Sequence, residues 1–382
     1  MTDVTVLTSN FEGYKSIALV TPVLRYKSAL EAAGFDIDIA VDEPNEVDGC
    51  DCLLVSDRVY MDANHHRNLL DDLKAFQRNC GRVVWLDTTD GTTVQTYGSL
   101  DPSVQTRIIP NVDRYCKKQL LSDRERYLDR LYGSRLFTDF YASNFETERG
   151  FHETKTDRSV QVEDADHLDK LGIFWNLGMA VRVPVVDRFS SRLYTELIEV
   201  SPRLAGAVPW TALLDRSVVW PTPDKERPNP ISGRFSTGYD SEQVQFHREL
   251  ITRGIGHRLD SERVGTVEYW RELRRSKILL SPFGWGEVCH RDFEGFLSGC
   301  LVLKPRMDHL ETWPSLYEDG DTVLTFEWDA SDLESIVDSA LDWDDDTRQV
   351  ARRGQSRYRE VLLGESAEQR FVDRFRQVVE PC

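Results

Sequence analysis

Short apolar runs alternate with amphipathic stretches over residues 1–90 of the chain. Four runs have the length and β-branched content of buried strands: 4–7, 37–41, 52–55 and 82–86. Helical patterns separate them, one ending near residue 30 before a stop signal at Gly34 and another covering about 67–78. Strands that alternate with helices of this length predict a parallel sheet with helices on both faces.

A proline-rich stretch interrupts this alternation, with six prolines between positions 202 and 230. The alternation then resumes, with strands predicted at 231–236, 278–281, 300–303 and 322–326 and helices at 241–252, 267–275, 287–297 and 331–341. The fold class is therefore α/β, with two α/β halves around an irregular joint. We assign 1–180 to an N-terminal domain, 181–228 to the connection, 229–364 to a C-terminal domain and 365–382 to a terminal helix.

The composition is that of a globular protein with a strongly acidic surface. The chain has 382 residues, and its 47 basic and 65 acidic side chains give a net charge of −18. This sign argues against a general nucleic-acid binder and against broad adhesion to anionic membranes. Only ten of the basic residues are lysines, and excess carboxylate with little lysine is typical of proteins from salt-saturated cytoplasm. We expect a halophilic source; the alternative is an acidic protein from a GC-rich genome.

The seven cysteines and the N-terminal sequence favour a reduced, cytoplasmic protein. No CxxC pair of the zinc-binding kind is present, and Cys52 and Cys300 lie in apolar runs. The first ten residues lack the basic and then apolar pattern of a signal peptide. The most apolar stretch, 171–186, contains Asn176 and Arg182, so a membrane span is not predicted.

The segment 276–305 carries the most informative chemistry. A predicted strand leads into Gly284-Trp285-Gly286, and a helix is predicted to begin immediately afterwards. Glycines let the backbone approach a ligand closely, and the first N–H groups of a helix bind anions, so this turn is suited to a phosphate group.

The predicted helix places three charged side chains on one face. Glu287, Arg291 and Glu294 follow at intervals of four and three residues, while Phe293 and Phe296 would face the core. The charged face is either part of a binding site behind the glycine turn or an exposed stripe of salt bridges.

The order G-x-G-E, then Arg, then F-E, then S-G-C-L-V-L resembles the donor-binding half of GT-B glycosyltransferases, nearest to the exostosin-like and group 1 families. The specific likeness covers about 276–340. It implies two Rossmann-like domains that face each other across a cleft, no bound metal or other cofactor, and a terminal helix that crosses back to the first domain. It also implies that Glu294 holds the ribose of a nucleotide sugar, with Arg291 and the backbone after Gly284 near the diphosphate.

One departure from the resembling families concerns stereochemistry. Their retaining members place two glutamates eight residues apart, whereas Gly286 stands eight residues before Glu294 and Glu287 follows one position later. Glu287 remains a catalytic candidate, and the choice between inversion and retention stays open.

Further donor-side candidates surround the same glycine turn. Arg234 lies at the end of a predicted strand, where it would reach a donor phosphate or be an ordinary surface arginine. Ser281 ends the strand before the turn, and Trp285 would stack on a base or sugar or pack as a plug.

The N-terminal half should hold the acceptor, and an inverting enzyme needs a general base there. Several polar residues follow predicted strands, where ligands bind in parallel sheets. The candidates are Asp90, Asp87, Asp57, Glu12 and the pair His65-His66. Asp90 is the first choice because it lies in a glycine-bounded loop, although strand-end aspartates also commonly cap helices.

Residues 107–135 form a locally basic segment in this acidic chain, with eight basic and four acidic side chains. One interpretation is a helix with internal i, i+4 ion pairs. The other is an acceptor-side patch that includes Lys117 and Lys118 and receives a lipid phosphate or another anionic acceptor, with possible contact at the inner face of the membrane.

The sequence therefore predicts a glycosyltransferase that moves a sugar from a nucleotide-sugar donor to a glycan, a lipid-linked acceptor or a protein-linked acceptor. Closure of the two halves would exclude water from the donor. Two alternatives stay open: a non-catalytic relative that binds sugar or nucleotide, and a nucleotide-sugar epimerase on the same fold. The donor sugar, the base and the oligomeric state are not specified by any motif.

Overall fold

A computed structural model gives the fold of the whole chain except residues 10–13, 42–43, 45–46, 48, 62–68, 95–106, 147–160, 181–199, 201–218, 240, 261 and 382. The candidates Glu12, His65 and His66 lie outside the described residues, as does nearly all of the predicted connection 181–228. The domain bounds stay a prediction.

The described strands are β1 (Thr2–Thr8), β2 (Phe35–Val41), β3 (Cys52–Ser56), β4 (Val83–Asp87), β5 (Arg114–Lys117), β6 (Gln119–Leu121), β7 (Leu171–Ile173), β8 (Asn229–Ser232), β9 (Ser276–Leu280), β10 (Leu301–Pro305), β11 (Leu310–Thr312) and β12 (Leu324–Phe326). The described α-helices are α1 (Tyr14–Arg25), α2 (Lys27–Ala32), α3 (Leu69–Asn79), α4 (Leu136–Asn144), α5 (Glu242–Ile255), α6 (Thr266–Leu273), α7 (His290–Ser298), α8 (Leu333–Leu341), α9 (Asp345–Leu362) and α10 (Glu365–Val379). None of these described helices is long and apolar enough to cross a bilayer.

Two parallel sheets form the architecture. The first has the strand order β2-β1-β3-β4-β5-β7, and the second has the order β12-β10-β9-β8. Strands β3 and β4 are buried along their whole length, which explains why their sequences are continuous apolar runs rather than alternating ones. The predicted α/β class, with two parallel sheets in two halves, is confirmed.

The two halves share a core. Strand β11 pairs antiparallel with β6, so a segment of the second half extends the first. Helix α10 lies against the first sheet, where the ring of Phe371 is 5.0 Å from that of Tyr26 and 5.1 Å from that of Trp175. Phe375 meets Phe35 at 5.2 Å. One apolar cluster includes residues of both halves, so their relative position is fixed by packing over a broad area.

Two predicted elements differ from the structure. Helix α7 begins at His290, because Asp292 turns back to accept a hydrogen bond from the backbone N–H of Cys289 (2.9 Å) and so caps the helix there. Glu287 therefore precedes the helix, and the predicted charged face of Glu287, Arg291 and Glu294 is wrong. The alternative interpretation of the basic segment 107–135 as a helix is also wrong over 114–121, which forms β5 and β6.

Candidate active site

The carboxyl ends of the two sheets meet at one very close backbone contact. Asp90 follows β4 in the first half, and Gly286 follows β9 in the second. A Cβ atom at position 286 would lie 2.7 Å from the carbonyl oxygen of Asp90, so only glycine fits there. Ligands of parallel sheets bind at carboxyl ends, and this junction is therefore the centre of the candidate site.

A groove of about 920 Å³ opens on the second half, beyond the end of β8. This volume falls within the usual range of small-molecule sites. The groove is lined by residues of 233–237, by residues of 252–264 after and within the end of α5, and by Tyr269 of α6.

Two arginine side chains lie beside this groove, next to the glycine turn. The Nε of Arg248 donates to the carbonyl of Phe283 (2.8 Å), and its guanidinium stacks over the ring of Tyr239 at 4.4 Å. Its Nη2 would be 3.2 Å from a Cβ at Gly284, so the guanidinium faces the turn. Burial, followed by the charge of Arg291, lowers the pKa of Arg248 to about 10. The two cations therefore share one site.

Arg291 supplies the second cation from the first turn of α7. Its guanidinium lies 5.8 Å from the ring centroid of Phe235, a lining residue of the groove. Its Nη1 is buried and has no hydrogen-bond partner among the residues that the structure describes. A buried guanidinium nitrogen without an acceptor is costly, and a bound anion would satisfy it. The N-terminus of α7 adds its own positive dipole at the same place.

Glu294 also belongs to this side of the site. The hydroxyl of Tyr269 donates to its Oε2 at 2.7 Å, which joins the predicted ribose-binding residue to the wall of the groove. Arg234, in contrast, is held in that wall by Glu272 (2.6 Å) and by the carbonyl of Glu262. Its charge is therefore already paired, contrary to the expectation that it reaches a donor phosphate.

Ser281 supports the turn rather than forming part of its surface. It is buried, its backbone N–H donates to Leu303, and its hydroxyl donates to Asp292. Asp292 also accepts from Lys304 (3.1 Å) and from the hydroxyl of Tyr317 (2.8 Å). The predicted contact of Ser281 with the donor is therefore replaced by a role in a buried polar cluster that fixes the start of α7.

On the first half, Asp90 lies between two lysines. Its carboxylate accepts from Lys15 at 2.7 Å and forms a second ion pair with Lys118. Burial raises the pKa of Asp90, but Lys118 and Lys15 outweigh it and hold the pKa well below its usual range. Burial and the Lys118 charge in turn lower the pKa of Lys15 to about 8. A carboxylate with so low a proton affinity is a weak general base.

The basic segment does not form an exposed acceptor patch. Lys117 is fully buried and its Nζ lies 2.6 Å from Asp87, and Lys118 is also buried. Asp57 is buried beside them and accepts from Thr88 at 2.8 Å. The expectation that Lys117 and Lys118 present their charges to an anionic acceptor is therefore wrong: both ammonium groups face inward to aspartates.

Glu287 is a buried residue of the second half that forms a hydrogen bond with the first half. Its side chain is fully buried, and its Oε2 accepts from the Nε2 of Gln119 at 2.9 Å, which also donates to the carbonyl of Asp90. Within the described part of the chain its Oε1 has no hydrogen-bond partner. This atom lies 3.7 Å from the Nε2 of His309, whose two ring nitrogens are also buried without a described partner. The cluster of Gln119, Glu287 and His309 therefore holds unsatisfied polar atoms at the junction.

Trp285 is the exposed residue of the glycine turn. Arg135 of the first half holds Trp285 in place: it donates a hydrogen bond to the carbonyl of Trp285, and its guanidinium lies 5.7 Å from the centroid of the Trp285 ring. The ring of Tyr239 contacts it at 5.6 Å.

The sequence predicts no role for Gln119 and His309, includes Arg135 only as one basic residue of 107–135, and indicates a structural role for Arg248 within its helix. Arg248 shares a helix with His247, which is neutral because burial lowers its pKa and which accepts from the N–H of Phe283 at 3.0 Å. The useful signal is the HR pair on a helix that passes behind the glycine turn. The other three residues make their contacts across the junction of the two halves, and a local sequence pattern does not predict such long-range contacts.

No group of three His, Cys, Asp or Glu side chains suited to a metal ion occurs in the part of the chain that the structure describes. A transferase that works without a metal remains a prediction from the resemblance.

Comparison with known proteins bears on the second half. Residues 230–373 match the family model described as "Glycosyl transferase-like". This segment is therefore similar in sequence to glycosyl transferase-like domains. It contains β8, the groove, the glycine turn and α7, and it confirms the predicted glycosyltransferase class for this part of the chain. No curated protein matches the chain.

Solved structures with a similar fold include the HepE protein of Anabaena in complex with UDP-glucose, at 10% identity over 99% of this chain and 100% of that one, with a TM-score of 0.44. An α-glucosyltransferase in complex with UDP and a 13-mer DNA is 10% identical over 99% of this chain and 100% of that one, with a TM-score of 0.47. The β-glucosyltransferase of phage T4 is 10% identical over the same shares, with a TM-score of 0.41.

Proposed function

We propose that this protein transfers a glycosyl group from a nucleoside diphosphate sugar, held by its second half, to an acceptor hydroxyl held at the junction with its first half. The observation that carries the proposal is the pair Arg248 and Arg291, which adjoin the groove of a glycosyl transferase-like domain. The buried Nη1 of Arg291 has no acceptor among the described residues, and a diphosphate supplies one.

The leaving group of such a transfer is the nucleoside diphosphate, which gains charge as the glycosidic bond breaks. The two guanidinium groups and the N-terminus of α7 stabilise that charge from fixed positions, with little reorganisation. Glu294, held by Tyr269 at the wall of the groove, takes the ribose hydroxyls. The nucleotide therefore lies along the groove, with its diphosphate at the glycine turn.

The acceptor hydroxyl must lose its proton during the transfer. Asp90 is poorly suited to take it, because two lysines hold its pKa low. Glu287 has a carboxylate oxygen that accepts no hydrogen bond from a described residue at the same junction, and it is the better candidate. Replacing Glu287 with Gln should lower kcat, whereas Asp90→Asn should act mainly on acceptor binding through Lys15.

The donor site is tested by thermal unfolding with a panel of nucleoside diphosphates in high KCl. A ligand at about 100 times its Kd adds about 2.7 kcal/mol, which raises the unfolding midpoint by several degrees. Arg291→Gln should weaken nucleotide binding by about 10- to 100-fold, the cost of one hydrogen bond to a charged group. Arg253→Gln is the matched control, because Arg253 lies on α5 but is 65% exposed.

Two outcomes separate the alternatives that the sequence leaves open. Nucleotide binding without release of nucleoside diphosphate from any donor and acceptor pair would indicate a binding protein. If the donor is incubated without an acceptor and its sugar changes configuration while it is still bound to the nucleoside diphosphate in the product, the protein is an epimerase. If Arg291→Gln left nucleotide binding unchanged, the placement of the diphosphate beside Arg291 would be contradicted.

A further inference from the structure

Trp285 is an exposed aromatic residue at the centre of an otherwise buried turn. It is 36% exposed, whereas its neighbours Phe283 and Glu287 are fully buried. Arg135 lies over its ring, Tyr239 contacts it, and its carbonyl is held by the same arginine. The indole is therefore fixed at the surface by groups from both halves. Because it is already ordered, it loses little side-chain entropy when a ligand packs on it.

The indole lies on the acceptor side of the glycine turn. The donor groove is lined by residues of 233–237 and 252–264 and by Tyr269, and Tyr239, which contacts Arg248 beside that groove, contacts Trp285 as well. On its other side Trp285 contacts Arg135 of the first half, and the next residue, Gly286, touches the backbone of Asp90. A ring that packs on Trp285 therefore lies next to the Asp90 loop.

The chemistry around the indole fits a carbohydrate better than a lipid phosphate. A pyranose presents an apolar face of C–H groups, which packs on an aromatic ring, and a rim of hydroxyls, which need charged or polar partners. Asp90, whose backbone lies against Gly286, pairs with Lys15, so the adjoining loop supplies a carboxylate that is paired with an ammonium. The lysines that an anionic acceptor would need, Lys117 and Lys118, are buried against aspartates.

We propose that the acceptor is a carbohydrate whose terminal pyranose ring packs on Trp285 while its hydroxyls bind at Asp90 and Lys15. This inference rests on the proposed transfer reaction, because it assigns the acceptor of that reaction. It selects a glycan from the acceptors that the sequence leaves open, and it places Trp285 on the acceptor side instead of the donor side.

A test by ¹⁹F NMR requires no knowledge of the natural acceptor. The nine tryptophans are labelled with 5-fluorotryptophan, and Trp285→Phe identifies the resonance of Trp285. Maltose, cellobiose, mannobiose and diacetylchitobiose are titrated to high millimolar concentration, with glycerol as the polyol control and geranyl phosphate as the lipid phosphate. At least one disaccharide should shift the Trp285 resonance, while glycerol should not.

The same NMR titration can also refute the proposal. If none of the four disaccharides shifts the Trp285 resonance, or if geranyl phosphate alone does, the carbohydrate acceptor is wrong. Nucleoside diphosphate binding in the thermal assay is read independently, so the failure of this inference is distinguishable from failure of the proposed function. With a disaccharide that is a substrate, Trp285→Leu should raise its KM about three- to tenfold and leave the donor KM unchanged, with Trp285→Phe intermediate.

Discussion

The buried Lys117–Asp87 pair allows a direct test of the structure of the basic segment. Both side chains are fully buried, and Asp87 also accepts from Tyr115 (2.5 Å) and from Thr89. Lys117→Met removes the ammonium and leaves the carboxylate buried without its counter-ion. Breaking a buried pair on one side costs about 3–5 kcal/mol, which for a domain of this size lowers the unfolding midpoint by about 6–20 °C.

Thermal and urea unfolding followed by circular dichroism measure this loss. Lys74→Met is the matched control, because Lys74 pairs with Asp71 on the surface of α3, where such pairs contribute about 0–1 kcal/mol. The double variant Asp87→Asn with Lys117→Met should lose less than the sum of the two single losses, because each single change strands the other charge. If Lys117→Met cost no more than Lys74→Met, Lys117 would lie at the surface and the acceptor patch would have to be reconsidered.

Three further predictions address the junction and the surface. Gly286→Ala should destabilise the protein by about 1–3 kcal/mol in urea unfolding, since the added methyl meets the Asp90 carbonyl, whereas Gly254→Ala on α5, with open space around it, should be neutral or stabilising. Lys15 has a pKa of about 8 in the folded protein, so above pH 8 the unfolded chain binds more protons than the folded one and stability rises with pH. The unfolding midpoint of the wild type minus that of Lys15→Met should therefore increase from pH 8 to 10. A difference that does not change with pH would contradict this prediction. The net charge of −18 predicts a midpoint that rises with KCl and levels off once the charges are screened.

The sequence predicts the alternation of elements well and the start of one helix badly. Continuous apolar runs identify β3 and β4 because central parallel strands are buried on both faces. Helix α7 was placed three residues too early because its start depends on the contact of Asp292 with Cys289, which spacing alone does not reveal. The glycine turn itself is local, so it was identified.

The acceptor side of the site could not be predicted in the same way. Lys117 and Lys118 are adjacent charged residues, and adjacent charges usually indicate a solvated surface. They are buried here because aspartates of β4 and its following loop receive them, a pairing across 28 to 30 residues of sequence. Gln119 and His309 are likewise brought to Glu287 only by the pairing of β6 with β11.

The position of α10 has a consequence for how the chain is synthesised. Phe371 and Phe375 at the far end of the sequence complete the packing around Tyr26, Phe35 and Trp175 of the first half. While the ribosome is still adding residues, these early side chains have no cover from the last helix. The first half therefore lacks part of its cover until α10 has been synthesised, and a stop codon before 365 would leave these earlier-made side chains exposed.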